Sequence, residues 1–100
     1  MLLSWFDATA SKEFGTALAK FYIERIPVTI HANENDKKFA SKTKSTLDKM
    51  SQRVGEFKAL NRLNTYKKAQ LGNAFKWSLR EAGYDKAYID RLTQWLVTRI

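Results

Sequence analysis

This 100-residue chain has one histidine, His31, and no cysteine. Thiolate zinc sites, disulfides and thiol nucleophiles are therefore excluded, and His31 has no partner at the fixed spacing that a metal or a histidine-assisted nucleophile needs. The carboxylates Glu13, Glu24, Glu56, Glu81 and Asp90 are scattered among basic neighbours, and Glu24, Glu56 and Asp90 read as solvated ion-pair partners. Gly15, Gly55, Gly72 and Gly83 are isolated and build no phosphate-cradling loop. The expectation is a non-enzymatic protein with no catalytic residue, no metal, no cofactor and no small-molecule substrate.

Residues that could bind rather than react fall into two groups. The first is cationic. Formal net charge is +8, yet residues 1 to 36 are net −2 and residues 81 to 100 are neutral, so the excess lies between 37 and 80, where twelve basic side chains face only Asp48 and Glu56. Such asymmetry marks a surface that meets something anionic. At the helical repeat, Lys38, Lys42, Lys49 and Arg53 line one edge of a single helix and are the expected contacts to an anionic partner, with Lys37, Lys44, Lys58 and Arg62 round on the other side. The second group is Tyr66, Gln70, Asn73, Trp77 and Arg80. Spaced by four, three, four and three, these residues share a helix face opposite the apolar one. Either the face is covered, because the helix is central or because Trp77 packs under Trp5 and Phe6, or it is a contact surface, because Trp, Tyr and Arg dominate binding hot spots.

The elements that must position these groups are helical. Leu71, Phe75, Leu79 and Ala82 recur at helical spacing, Gly83 follows where a helix ends left-handed, and Asp85 opens the next helix with Tyr84 and Ile89 in staple positions. Tyr88, Ile89, Leu92, Trp95, Leu96 and Ile100 then form a broad apolar stripe, apolar to the last residue as in a docked C-terminus. Upstream, a helix starts near Asp7 or Ser11 and stops at Pro27, with Ala10, Phe14, Leu18, Phe21, Tyr22 and Ile26 as its apolar face and Arg25 snorkelling at its end. Residues 27 to 31 read as an extended connector whose Val28 and Ile30 enter the core, and residues 32 to 36 as a polar turn offering caps. From Asn35 to Leu60, Phe39, Thr43, Thr46, Leu47, Met50, Val54 and Phe57 share one face. The hydroxyl-rich run Ser41 to Thr46 predicts a fray or kink, and Asn61 to Thr65 a break.

The fold expected is all-α: a small four-helix bundle with antiparallel helices near 8 to 26, 35 to 61, 65 to 82 and 86 to 99, short connections, and one domain over residues 1 to 100. Apolar residues make up 44% of the chain, too many for disorder. The opening Met1-Leu2-Leu3-Ser4-Trp5-Phe6 lacks a basic start and is cut off by Asp7, so it reads as neither signal peptide nor membrane anchor, and the expected location is cytoplasmic. Thirteen aromatics exceed what so small a monomer hides. They point to a helical protein-interaction module with a basic face, buried against a second copy in a homo-oligomer or against an acidic partner protein. The alternative is nonspecific nucleic-acid binding through residues 37 to 80.

Overall fold

Local chemistry marks several of the helix ends. In the computed structural model, which describes residues 6–28 and 37–100, four helices follow one another: α1 (Thr9–Arg25), α2 (Lys37–Leu60), α3 (Thr65–Glu81) and α4 (Lys86–Val97). Asp7 accepts a hydrogen bond from the Thr9 amide at 3.1 Å, and the Thr9 side chain and backbone together hold its carboxyl below the usual carboxylate range. Asn64 caps α3 by accepting from the Lys67 amide at 2.8 Å, and Asp85 caps α4 by accepting from Tyr88 at 3.0 Å. Each satisfies an amide that the helix itself leaves unpaired. Gly83, at φ +98°, makes the left-handed step that ends α3. Of the extended connector expected over residues 27 to 31, Val28 packs against the core as expected; Thr29 to His31, the caps expected among residues 32 to 36, and Met1 to Trp5 lie outside the described residues.

Consecutive helices alternate in direction. Phe14 of α1 stacks on Phe57 of α2 with centroids 4.2 Å apart, while Arg53 lies over Phe21, so the two helices run antiparallel. Lys76 of α3 pairs with Asp90 of α4 at 3.7 Å, and Gly72 lies beside Val97. In the parallel pair α2 and α4, Arg99 donates to Ser51 and accepts from Lys58 through its carbonyl. Among the described residues no helix is long and apolar enough to cross a membrane.

The closest approach is between α1 and α3, which run parallel: Phe6 meets Tyr66, Gly15 meets Leu71 and Ala74, and the Tyr84 hydroxyl donates to the Ile26 carbonyl. This corrects the face expected for α1. Leu18, Tyr22 and Ile26 are buried as expected, but Ala10 is exposed and Phe14 and Phe21 are only half-buried, while Ser11, Gly15 and Ala19 are covered. Small residues at spacings of four let two backbones approach where large side chains would hold them apart. A hydrophobicity pattern gives such residues no weight.

A second correction concerns α2, which runs without interruption through Ser41 to Thr46. Thr46 is fully buried and its hydroxyl donates back to the Lys42 carbonyl at 2.8 Å, so this polar side chain is satisfied inside the helix. The core gathers Leu18, Tyr22, Ile26, Met50, Val54, Leu71, Phe75, Leu79 and Leu96, each at most 2% exposed. Covering an aliphatic or phenyl side chain of this kind stabilises by roughly 1.5–3 kcal/mol. Ile100 is also buried.

Candidate interaction faces

α3 is central in this arrangement, with α1 on one flank, α4 on the other and α2 beneath. Leu71, Phe75 and Leu79 point into the core. Opposite them, Tyr66, Gln70, Asn73, Trp77 and Arg80 lie within about 40° of one line along the helix. Trp77 is 56% exposed, Asn73 and Arg80 are exposed, and Tyr66 and Gln70 are half-buried. The Arg80 guanidinium sits 5.2 Å from the Trp77 ring, and Phe6, itself 56% exposed, meets Tyr66 edge-on at 5.5 Å. The Trp77 ring is more than half exposed, and the packing expected under Trp5 lies outside the described residues. Phe6 belongs to the Tyr66 end of the face, some 16 Å away by helical rise.

Beside Arg80, the α3–α4 turn folds back to enclose a recess of about 420 Å³ lined by Lys76, Arg80, Tyr84, Lys86, Ile89 and Asp90. Its floor is apolar, from Tyr84 and Ile89, and its rim carries three cations and one carboxylate. The Lys76–Asp90 pair is half-exposed on both sides and correspondingly weak. Tyr84 offers no acid–base chemistry near neutrality: burial, and then the neighbouring Tyr88, push its phenol up to about 12. Sequence reasoning missed Lys76 and Lys86 as members of this face. The Gly83 turn was visible, but which side chains it brings together depends on how α4 packs back.

The second face follows α2. Lys38, Lys42, Lys49 and Arg53 are all exposed along one edge, as their spacing implied. Among the described residues no carboxylate forms an ion pair with Lys42, Lys49 or Arg53; the pairs present are Lys44–Asp48 and Lys76–Asp90. Arg25 of α1 was expected only to snorkel at its helix end. Instead it converges with Arg53 on one ring, their guanidinium carbons 4.6 and 4.0 Å from the Phe21 centroid. No spacing within one helix signals that cluster, because its two arginines belong to different helices.

A third feature is interior. Tyr22, Tyr84 and Tyr88 pack as a buried aromatic triad, Tyr84 and Tyr88 stacked at 5.6 Å, with the Tyr22 and Tyr88 hydroxyls hydrogen-bonded to each other. Hydrogen-bonded phenols inside a core tie α1 to the α3–α4 turn and leave no polar atom for a ligand. Among the described residues no three His, Asp or Glu side chains cluster in a way that could hold a metal ion. The chain matches no protein-family model, no curated protein and no solved structure.

Proposed function

We propose that this protein is a non-enzymatic helical interaction module whose α3 face receives an acidic, amphipathic segment of a partner protein. The observation that carries the reading is Trp77: a large aromatic, more than half exposed, on the side of the central helix away from the core, with a guanidinium stacked on it. Trp, Tyr and Arg are the residues whose burial contributes most at interfaces. Apolar side chains on successive turns of the partner cover Trp77 and, three turns away, the Phe6–Tyr66 pair, while its carboxylates reach Arg80, Lys76 and Lys86 at the recess. Charge-assisted hydrogen bonds to Arg80 fix the register, and the net +8 of the chain speeds encounter with an acidic surface.

Charge also ranks the occupants. A second copy carries the same net +8, so docking it face to face sets like net charges against each other, whereas an acidic segment neutralises Lys76, Arg80 and Lys86. Self-association is thus the competing occupant. The absence of cysteine suits a reducing compartment such as the cytoplasm.

A labelled helical peptide with Leu on one face and Glu on the other tests the reading by fluorescence anisotropy. Micromolar binding that weakens with salt is expected, with Arg80→Glu combined with Lys86→Glu reducing it at least tenfold. Absence of binding at low salt removes the proposal. Light scattering separates the occupants: a mass that is a multiple of 11.6 kDa and reverts to the monomer in Trp77→Ala assigns the face to a second copy instead.

A further inference from the structure

We propose that Arg25 and Arg53 form a phosphate clamp at the seam of α1 and α2 and, continued by Lys49 and Lys42, hold the backbone of a nucleic acid without regard to its sequence. This site lies away from the α3 face and does not depend on the function proposed for it.

The argument starts from an energetic oddity. Two guanidiniums converge on Phe21, so their separation is bounded by the sum of their distances to the ring, 4.6 and 4.0 Å. Like charges this close repel, and an acid between them is the usual remedy. None is present among the described residues: Glu24 and Glu56 are next to the arginines or one turn away in sequence, yet pair with neither. The Phe21 ring holds both cations through its quadrupole and is itself packed against the core. The two forks are thus pre-positioned, which lowers the entropy lost when an anion is bound.

Phosphate suits this geometry. A phosphodiester has two non-bridging oxygens, one for each guanidinium, and with charge-assisted hydrogen bonds of about 2.8 Å it spans roughly 8 Å between guanidinium carbons. Along the same edge of α2, Lys49 precedes Arg53 by one turn and Lys42 lies two turns further back, a cationic row of about 16 Å. Between Lys42 and Arg53 that edge carries Ser45 and Gln52 and no apolar side chain, while Glu56 and the exposed Leu60 follow beyond Arg53. A polymer of evenly spaced phosphates can reach every member of the row, and each phosphate neutralised releases counterions.

Fluorescence anisotropy of a short, mixed-sequence single-stranded DNA, titrated with the full chain at several salt concentrations, tests the clamp. Micromolar affinity at low salt is expected, falling as salt rises. Replacing Arg25→Gln together with Arg53→Gln should weaken binding tenfold or more and flatten the log–log salt slope by about 0.7 for each phosphate no longer neutralised. The charge-matched pair Lys12→Gln with Lys20→Gln, on the far side of α1, should weaken it less than threefold. Arg25→Lys with Arg53→Lys keeps the charge but not the planar forks, and should fall between wild type and the glutamine pair; it carries the test if the glutamine variant fails to fold. No binding at low salt, equal loss in the two glutamine pairs, or full affinity in the lysine variant each overturns the clamp. Poly-glutamate bound as tightly, with the same sensitivity to Arg25 and Arg53, assigns the cluster to acidic protein and overturns the phosphodiester assignment.

Discussion

The carbonyl oxygen of Leu71 occupies the space that a side chain at position 15 would need: a β-carbon built on Gly15 comes within 2.3 Å of it. Gly15 is therefore required for the close α1–α3 approach, and that approach places α3 at the centre with Trp77 exposed on its far side. A backbone carbonyl cannot rotate away as a side-chain tip can. Any residue with a β-carbon must push the two helices apart.

Glycine substitutions should consequently have opposite signs at two positions. Gly15→Ala gains the helix propensity of alanine but overpacks the seam, and a net loss of roughly 1–3 kcal/mol is expected. Gly55→Ala, on the open side of α2 with nothing within 4 Å, should stabilise by about 0.5–1 kcal/mol. Urea unfolding of both variants measures this. Equal effects at the two sites would contradict the seam.

Tyr84 sets an alkaline limit on the fold. Its phenol titrates near 12 in the folded chain against an ordinary value of 10.0, so the folded state favours the protonated form. That contribution is fully present below pH 10 and is lost as pH rises through 12. Tyrosinate absorbance should show the Tyr84 phenol ionising late, together with loss of helix. Tyr84→Phe should remove that late step and, by depriving the Ile26 carbonyl of its donor, lower stability at neutral pH by about 1–3 kcal/mol.

Core and surface should separate cleanly on α3 and α4. Phe75 is fully covered and Leu92 nearly so; truncating either to alanine should cost roughly 2–5 kcal/mol by leaving a cavity. Wild-type stability in either variant would mean that the helices face elsewhere.

Much of the fold was legible because its signals are local. Asn64, Gly83 and Asp85 announce helix ends through hydrogen bonds and backbone angles confined to a few residues, and Leu71, Phe75, Leu79, Leu92 and Leu96 mark buried faces by period alone. What stayed hidden is tertiary. Ser11, Gly15 and Ala19 form the tightest seam by being small, which periodicity of apolar residues cannot register. Thr46 looks like a helix breaker until its donation to the Lys42 carbonyl is seen. On the α3 face, the line from Tyr66 to Arg80 could be drawn from spacing, whereas the recess at Lys76 and Lys86 and the meeting of Arg25 with Arg53 exist only once helices are packed.

The central claim is that the exposed Trp77 side of α3 is a surface that an acidic segment covers. Its most direct test is Trp77→Ala, measured for unfolding stability and for affinity to the Leu/Glu peptide in the same preparation. The expected result is stability within about 0.5 kcal/mol of wild type, as for surface positions, with peptide affinity reduced at least tenfold. Loss of the fold, or undiminished peptide binding by a folded variant, would contradict it.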